Sequence, residues 1–166
     1  MTRIAVHDSS VLIDLSNGDL FEAYLLLGYE TLTTDFIVRE VSKDSQPIAA
    51  WLQAHATITH YTPSEMLALK QRQLAVGSSI SLEDASALYL AKDIDALLLT
   101  NDQRLRQVAK KLDVQVGGIL LLMDALHTQR LLSGQHLTAS LDAILGQGAR
   151  LPADACAERR RKWHPK

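Results

Sequence analysis

The sequence predicts a single α/β domain, a parallel sheet with helices on both faces. Short β-rich segments alternate with longer segments whose apolar residues recur at helical spacing. One segment, ALLLT at 96–100, is apolar on both sides, as expected of a central strand that helices cover from both faces. The chain has 166 residues, of which 47% are hydrophobic and 22% charged, a composition typical of one ordinary globular domain.

The alternation can be followed element by element. The predicted strands are 4–7, 31–34, 57–61, 96–100 and 114–118. The predicted helices between them are 21–28, 36–44, 63–76, 81–93 and 103–112. Start and stop signals agree with these bounds: Pro63 suits a first helical turn, Ser81 is an N-cap, and Gly28 and Gly77 follow helices. Such units imply right-handed crossovers, and we expect the strand order 3-2-1-4-5.

The pattern changes near the C-terminus. After about residue 119 the periodicity is helical only, so we place an α/β unit at 1–130 and additional packed helices at 131–150. The last nine residues, ERRRKWHPK, hold five of the chain's 17 lysines and arginines, after Gly146, Gly148 and Pro152. We therefore predict a basic flexible tail over 151–166. The apolar stripe over 120–126 is core or, alternatively, a dimer face.

Composition excludes several classes of protein. A net charge of -2 excludes a globally basic nucleic-acid coat but allows a local basic patch. Cys156 is the only cysteine, which excludes an intramolecular disulfide and a cysteine-based zinc site. The six histidines show no metal-ligand spacing. The start does not resemble a signal peptide and the apolar runs are too short to span a bilayer, so we expect a cytoplasmic protein without membrane contact.

Four acidic residues are expected at one edge of the sheet. Ligands of open parallel sheets bind beyond the carboxyl ends of the strands, at the switch in strand order. Asp8 directly follows the first strand and Asp102 the fourth. Glu40 lies in the first turns of the helix after the second strand, and Asp84 opens the helix that leads to the fourth. All four side chains should therefore approach the same edge.

Each acid also has a simpler interpretation. Asp102 is a natural helix N-cap, and Asp84 is the acid of a capping box. Glu40 fits a solvated helix face, and Asp8 is as well placed to cap the helix that follows it. These interpretations explain the acids one at a time, but they do not explain why all four fall at one edge.

Crowded carboxylates repel one another unless one is protonated or a cation joins them. Their hard oxygen atoms suit Mg²⁺ or Mn²⁺, and no soft ligand is present to favour zinc. Such an ion polarises a phosphoryl oxygen and lowers the pKa of a bound water. The pattern therefore indicates metal-dependent hydrolysis of a phosphate ester. A phosphoryl-accepting Asp8 is a weaker alternative, because Asp8-Ser9-Ser10 lacks the D-x-D of aspartyl-phosphate hydrolases.

Four segments carry a family resemblance: HDSSVLIDL at 7–15, FIVREV at 36–41, the run from Ser81 to Asp102, and RLRQVAKKLDVQV at 104–116. Together, over residues 3–130, they resemble the PIN-domain ribonucleases, which include the VapC-type toxins of bacterial toxin–antitoxin pairs. The QRLRQVA segment is closer to the longer PIN-like proteins than to the shortest toxins.

The resemblance implies a metal-dependent endoribonuclease that cleaves RNA by an activated water. The catalytic and metal-binding residues it implies are Asp8, Glu40, Asp84 and Asp102, with Ser10 and Thr100 as supporting polar residues. Glu83 competes with Asp84 as the third acid. The resemblance also implies a small antitoxin partner and a homodimer. The alternative is a catalytically inactive module that binds nucleic acid or a partner on the same fold.

Basic residues are the candidate RNA contacts. Arg104 and Arg106 follow the fourth acid and could reach a phosphate backbone, although a solvated helix face explains them equally well. In the predicted tail, the candidates are Arg159, Arg160, Arg161 and Lys162. They would bind RNA electrostatically, and the alternative is a solubilising tail.

Overall fold

A computed structural model describes residues 3–77 and 79–164 and confirms the α/β class. The sheet has five parallel strands in the predicted order, β3-β2-β1-β4-β5. The strands are β1 (Arg3–His7), β2 (Tyr29–Thr34), β3 (Thr57–Thr59), β4 (Leu97–Leu99) and β5 (Val116–Gly117). The order reverses between β1 and β4, which lie side by side at the centre of the sheet.

Helices connect the strands and continue after the last one. The helices of the described residues are α1 (Ser9–Asn17), α2 (Phe21–Leu26), α3 (Asp35–Asp44), α4 (Gln46–His55), α5 (Pro63–Ala75), α6 (Leu82–Asp93), α7 (Gln103–Lys111), α8 (Ile119–Thr128), α9 (Gly134–Gly146) and α10 (Ala153–Trp163). Within this part of the chain, no helix combines the length and the apolar character needed to cross a membrane.

The predicted helix signals are present. Gly28 and Gly77 follow α2 and α5 with φ of 74° and 84°, a conformation that favours glycine. Helix α4 was not predicted, because it begins directly after α3 without a glycine or a strand between them. Ser45 alone separates the two helices, ending α3 and capping α4 through a bond from Ile48 N to its hydroxyl.

Two hydrophobic clusters cover the two faces of the sheet. Adjacent residues of β1 point to opposite faces, so Val6 belongs to the cluster with α3, α5, α6 and α7, and Ala5 to the cluster with α2, α8, α9 and α10. Helix α1 contributes to both clusters, through Leu12 to one and Leu15 to the other. Leu122 and Leu126 of the apolar stripe are fully buried in the second cluster, so their side chains are core.

The C-terminal segment packs on the domain. The prediction of a basic flexible tail over 151–166 is wrong for residues 153–163, which form α10. Trp163 is only 3% exposed, and its indole Nε1 donates to Asp124 Oδ1 of α8 at 3.2 Å. Arg159 also donates to Asp124, at 3.1 Å. The basic run resembles a solvated tail in the sequence because its acidic partners, Asp124 and Asp142, lie far from it along the chain. Pro165 and Lys166 lie outside the described residues.

Candidate active site

Asp8 lies at the seam between β1 and α1, at the carboxyl edge of the sheet. Its side chain is 2% exposed and makes no capping hydrogen bond to the described residues of α1. Instead, Oδ2 accepts hydrogen bonds from Thr100 Oγ1 at 2.7 Å and from Ser10 Oγ at 2.9 Å. Burial raises the pKa of Asp8, and the two hydroxyl groups, followed by the backbone N–H groups of Ser9 and Ser10, oppose that shift. Asp8 thus occupies the N-cap position of α1, but the hydroxyl groups of Thr100 and Ser10 hold its carboxylate in place of a capping hydrogen bond.

The two hydroxyl groups that hold Asp8 are themselves held by the loop after β4. Asn101 N donates to Ser10 Oγ at 2.9 Å, and Asp102 N donates to Thr100 Oγ1 at 3.1 Å. Each hydroxyl thus donates its proton to Asp8 and accepts a backbone N–H. This arrangement fixes the orientation of the Asp8 carboxylate and ties α1 to the end of β4.

Glu40 of α3 is partly buried rather than on a fully solvated helix face. Its Oε2 atom is buried without a hydrogen-bond partner in the described part of the chain. The pKa of Glu40 is raised first by burial and then by the negative charges of Asp8 and Glu83, whereas the Ser9 side chain lowers it. Asp8 therefore lies close enough to disfavour the ionised form of Glu40.

Asp84 closes the predicted capping box of α6. Its backbone N donates to Ser81 Oγ at 3.0 Å, and its Oδ2 accepts from Ser81 N at 3.1 Å. The pKa of Asp84 is nevertheless raised to about 6, first by burial and next by the charge of Asp8, with a smaller contribution from Asp102. The capping hydrogen bond uses one carboxylate oxygen of Asp84, and the charges of Asp8 and Asp102 still raise the pKa of the group.

Asp102 is the N-cap of α7. Its Oδ1 accepts a hydrogen bond from Leu105 N at 2.9 Å, and the residue is exposed. The cap interpretation is therefore correct for both Asp84 and Asp102, and it coexists with their position beside Asp8. Glu83, the competitor of Asp84, also acts on this edge, because its charge raises the pKa of Glu40.

The four acids lie at the same edge of the sheet, but their side chains do not converge on one point. Their charges act on one another, with Asp8 raising the pKa of both Glu40 and Asp84. Over residues 3–77 and 79–164, however, no three Asp, Glu, His or Cys side chains form a group that could hold one ion. The two helix caps explain part of this spacing, since each fixes one carboxylate toward its own helix.

The donor set of this edge nevertheless fits a hard divalent cation. Asp8 Oδ1 and Glu40 Oε2 are both buried, and neither has a hydrogen-bond partner among the described residues. A buried carboxylate oxygen without a partner is costly, and so is the repulsion between two such groups. Oxygen-preferring ions such as Mg²⁺ and Mn²⁺ relieve both costs, and the acids here offer only oxygen ligands.

Asn101 is the functional-site residue that the sequence did not reveal. Its Nδ2 donates to Asp14 Oδ2 of α1, and its Oδ1 accepts from Ile119 N of α8 at 3.0 Å. Asp14 is 6% exposed, and burial raises its pKa to about 6. Gly118 makes room for this arrangement, because a Cβ there would lie 2.3 Å from Asn101 Oδ1.

The candidate RNA contacts differ in whether they form ion pairs with neighbouring acids. Arg104 is exposed on α7, and Arg161 is exposed on α10. Arg159 and Lys162 pair with Asp124, and Arg160 pairs with Asp142 of α9. Most of the basic run is thus engaged in holding α10 to the neighbouring helices.

Comparisons with known proteins agree with this architecture. No curated protein matches the chain. Among solved structures, it is similar to a PilT N-terminus domain protein, SSO1118, from the hyperthermophilic archaeon Sulfolobus solfataricus P2, with 18% identity over 72% of this chain and 89% of that one and a TM-score of 0.50. It is also similar to PAE2754 from Pyrobaculum aerophilum, with 16% identity over 75% of this chain and 98% of that one and a TM-score of 0.52. At these identities the likeness shows the fold.

A family model described as a PIN domain matches residues 4–165. The match continues beyond the predicted boundary at residue 130 and includes α9 and α10. It also contains all four acids of the carboxyl edge. The chain therefore belongs to the PIN-domain family, whose members are in general nucleases.

Proposed function

We propose that this protein is an endoribonuclease that hydrolyses RNA phosphodiester bonds with Mg²⁺ or Mn²⁺. The observation that carries the proposal is the pair of buried, unpartnered carboxylate oxygens, Asp8 Oδ1 and Glu40 Oε2. Asp8 ends β1 where the strand order reverses, which is the usual ligand-binding position of an open parallel sheet, and Glu40 lies near enough for the charge of Asp8 to raise its pKa. Membership of a family of nucleases supports the reaction class.

In this proposal, Asp8 and Glu40 would hold the ion, and Asp84 and Asp102 would be the further acids of the same edge available to it. When bound, a divalent ion lowers the pKa of a water molecule and stabilises charge on the phosphoryl group. Thr100 and Ser10 keep Asp8 Oδ2 engaged, so that Oδ1 stays directed away from them. Asn101 keeps the loop that carries Thr100 and Asp102 against α1 and α8.

The experiment compares the native chain with Asp8→Asn on single-stranded RNA and on DNA of the same sequence. Reactions contain Mn²⁺, Mg²⁺ or EDTA. We expect metal-dependent cleavage of RNA that EDTA and Asp8→Asn both abolish. A second readout is independent of activity: Mn²⁺ should raise the melting temperature of the native chain and not that of Asp8→Asn.

Asp95→Asn is the matched control. Asp95 is exposed, with φ of 54°, a conformation that asparagine tolerates, and it precedes β4 at the opposite edge of the sheet. The Asp95→Asn variant loses the same charge as Asp8→Asn, and it should cleave RNA as fast as the native chain does. Cleavage that persists in EDTA, or in Asp8→Asn, contradicts the proposal.

A non-catalytic module that binds RNA or a partner is the second candidate. The observation that favours it is the use of Asp84 and Asp102 as helix caps, together with the spacing of the acids in the described residues. RNA binding without cleavage under any metal condition would support this candidate.

The toxin role, the small antitoxin and the homodimer stay predictions from the family resemblance. Growth arrest on expression in a bacterial host, lost in Asp8→Asn, tests the toxin role. Light scattering of the purified chain tests the homodimer, and a monomeric mass would contradict it. Co-purification of a small protein encoded beside the gene tests the antitoxin.

A further inference from the structure

Two neighbouring cavities that share three lining residues lie beside Asp102, and together they are here called the linker groove. The first has a volume of about 410 Å³, and its lining includes Ser10 and Asp102. The second has a volume of about 320 Å³, and its lining includes Arg106 and Arg159. The cavities share Asn101, Gln103 and Leu151, so the groove extends from Asp102 in the first cavity to Arg106 and Arg159 in the second. Each volume lies within the range of about 300–1,000 Å³ found for ligand pockets.

The outer wall of the groove comes from the linker between α9 and α10. Residues 147–151 line the first cavity, and Leu151 and Pro152 line the second. The helices on both sides of the linker are packed on the domain, because α9 contributes to the second hydrophobic cluster and α10 contributes Cys156 and Trp163 to it. The C-terminal helices therefore place a fixed wall next to the candidate active site.

Arg106 is a partly buried cation on the floor of the groove. Its Nη1 donates to the Thr100 carbonyl at 3.1 Å, and it has no ion pair with any described residue. Burial without a counter-ion lowers its pKa. Gly118 permits this position, since a Cβ there would lie 3.1 Å from Arg106 Nη1. A cation of this kind favours an anionic ligand.

Other side chains of the groove suit a nucleotide chain. Arg150 is exposed on the linker and, like Arg106, forms no ion pair within the described ranges. Asn17, Gln103 and Gln147 line the first cavity with amide groups, which donate and accept hydrogen bonds as base edges require. Ile13, 39% exposed, offers an apolar surface beside them.

We infer that the linker groove binds single-stranded RNA, with Arg106 and Arg150 contacting backbone phosphates and the amide groups of the first cavity contacting a base. The inference deepens the proposed function and rests on it for the identity of the substrate. RNA is favoured over an acidic peptide because the amides and the apolar surface lie beside the cations, an arrangement that serves bases as well as phosphates.

The test measures binding of a short, fluorescently labelled single-stranded RNA of mixed sequence, in EDTA so that the probe is not consumed. Arg106→Gln and Arg150→Gln are compared with the native chain over a series of salt concentrations. Each should raise the dissociation constant about three- to tenfold, as expected for losing one charged contact. Each should also reduce the slope of log affinity against log salt by about 0.7.

Two further variants make the result specific. Lys70→Gln removes one exposed positive charge from α5, a helix that contributes no residue to the lining of either cavity, and should leave affinity unchanged. Arg106→Lys retains the charge and should recover most of the affinity that Arg106→Gln loses. If the two groove variants bind as the native chain does, or if Lys70→Gln weakens binding equally, the inference is overturned.

The inference and the proposed function fail separately. Metal-dependent cleavage with unchanged binding in the groove variants overturns the groove and leaves the nuclease intact. Binding that the groove variants weaken, without cleavage by the native chain, overturns the nuclease and retains the groove as an RNA-binding surface. If the native chain binds polyglutamate but not RNA, and the groove variants bind polyglutamate more weakly, the groove is not an RNA site.

Discussion

Thr100 joins the ends of β1 and β4 by donating its hydroxyl proton to Asp8, with Oγ1 and Oδ2 2.7 Å apart. Both residues are buried, at 0% and 2% exposure. The bond engages one oxygen of Asp8, and the other oxygen has no partner in the described part of the chain. A residue remote in sequence thus orients the central carboxylate of the candidate active site.

Replacing Thr100 tests this relationship. Thr100→Val keeps the shape of the side chain but removes the donor to Asp8 and the acceptor of Asp102 N. Since the Thr100 bond lowers the pKa of Asp8, its loss should raise that pKa further and shift the acid limb of the pH–cleavage profile to higher pH. Stability should fall by about 1–3 kcal/mol. Thr100→Ser keeps the hydroxyl, and an unchanged profile in Thr100→Val would contradict the role assigned to the bond.

Asp84 should make the metal-free protein sensitive to pH. Its folded-state pKa is raised from 3.8 to about 6, so folding favours the protonated acid. The associated stability is present below the unfolded-state pKa and is lost as the pH rises through about 6. Asp84→Asn is neutral at every pH and should therefore melt increasingly above the native chain as the pH rises from about 4 to about 7.

The measurement is the melting temperature of both chains in EDTA across that pH range. Asparagine can still accept the Ser81 N–H bond, so the cap is retained. A constant difference between the two chains would show that Asp84 does not carry the predicted repulsion. Added Mn²⁺ should stabilise the native chain more strongly above pH 6, because the ion binds the deprotonated acids.

Asn101 and Asp14 offer an exchange test. Asn101→Asp removes the Nδ2 donor and places a second acid against Asp14, so the free energy of unfolding should fall by about 1–3 kcal/mol. Adding Asp14→Asn restores one donor and one acceptor to the pair. Denaturant unfolding of the two single variants and the double variant should show recovery in the double variant. Purely additive losses would contradict a direct interaction.

Trp163 should contribute strongly to stability. Trp163→Ala removes a side chain that is 3% exposed and leaves Asp124 Oδ1 without its indole donor, at an expected cost of about 3–5 kcal/mol in the free energy of unfolding. Arg161→Ala, on the exposed side of the same helix, is the control and should change that free energy by less than about 0.5 kcal/mol. Equal effects of the two variants on denaturant unfolding would mean that α10 is loosely held.

The sheet was predictable because its signals are local. The apolar runs around Val6 and Leu98 are short and continuous, and their alternation with helical periodicity leads to the observed strand order. The family resemblance was also predictable from local signals, because short segments around the four acids carry it and follow one another in a fixed order along the chain. The capping box at Ser81 and Asp84 is likewise a pattern within four residues.

The features that could not be predicted from the sequence depend on residues that lie far apart along the chain. Asn101 bonds to Asp14, 87 residues away, and no local pattern connects them. In α10, the apolar face consists of Cys156 and Trp163, two turns apart, and its arginines pair with acids of α8 and α9. That spacing was the one available signal for a packed helix. The distances between the acids depend on how their side chains are oriented. The helix caps at Asp84 and Asp102 determine part of that orientation, and the composition of the chain does not reveal it.

Diffraction from a crystal soaked in Mn²⁺, recorded for anomalous scattering, tests the central claim most directly. The account predicts a peak within coordination distance of both Asp8 Oδ1 and Glu40 Oε2, with Asp84 or Asp102 completing the site. A soaked crystal without a peak there, in which the Asp8 and Glu40 oxygens are instead hydrogen-bonded to protein, would contradict it.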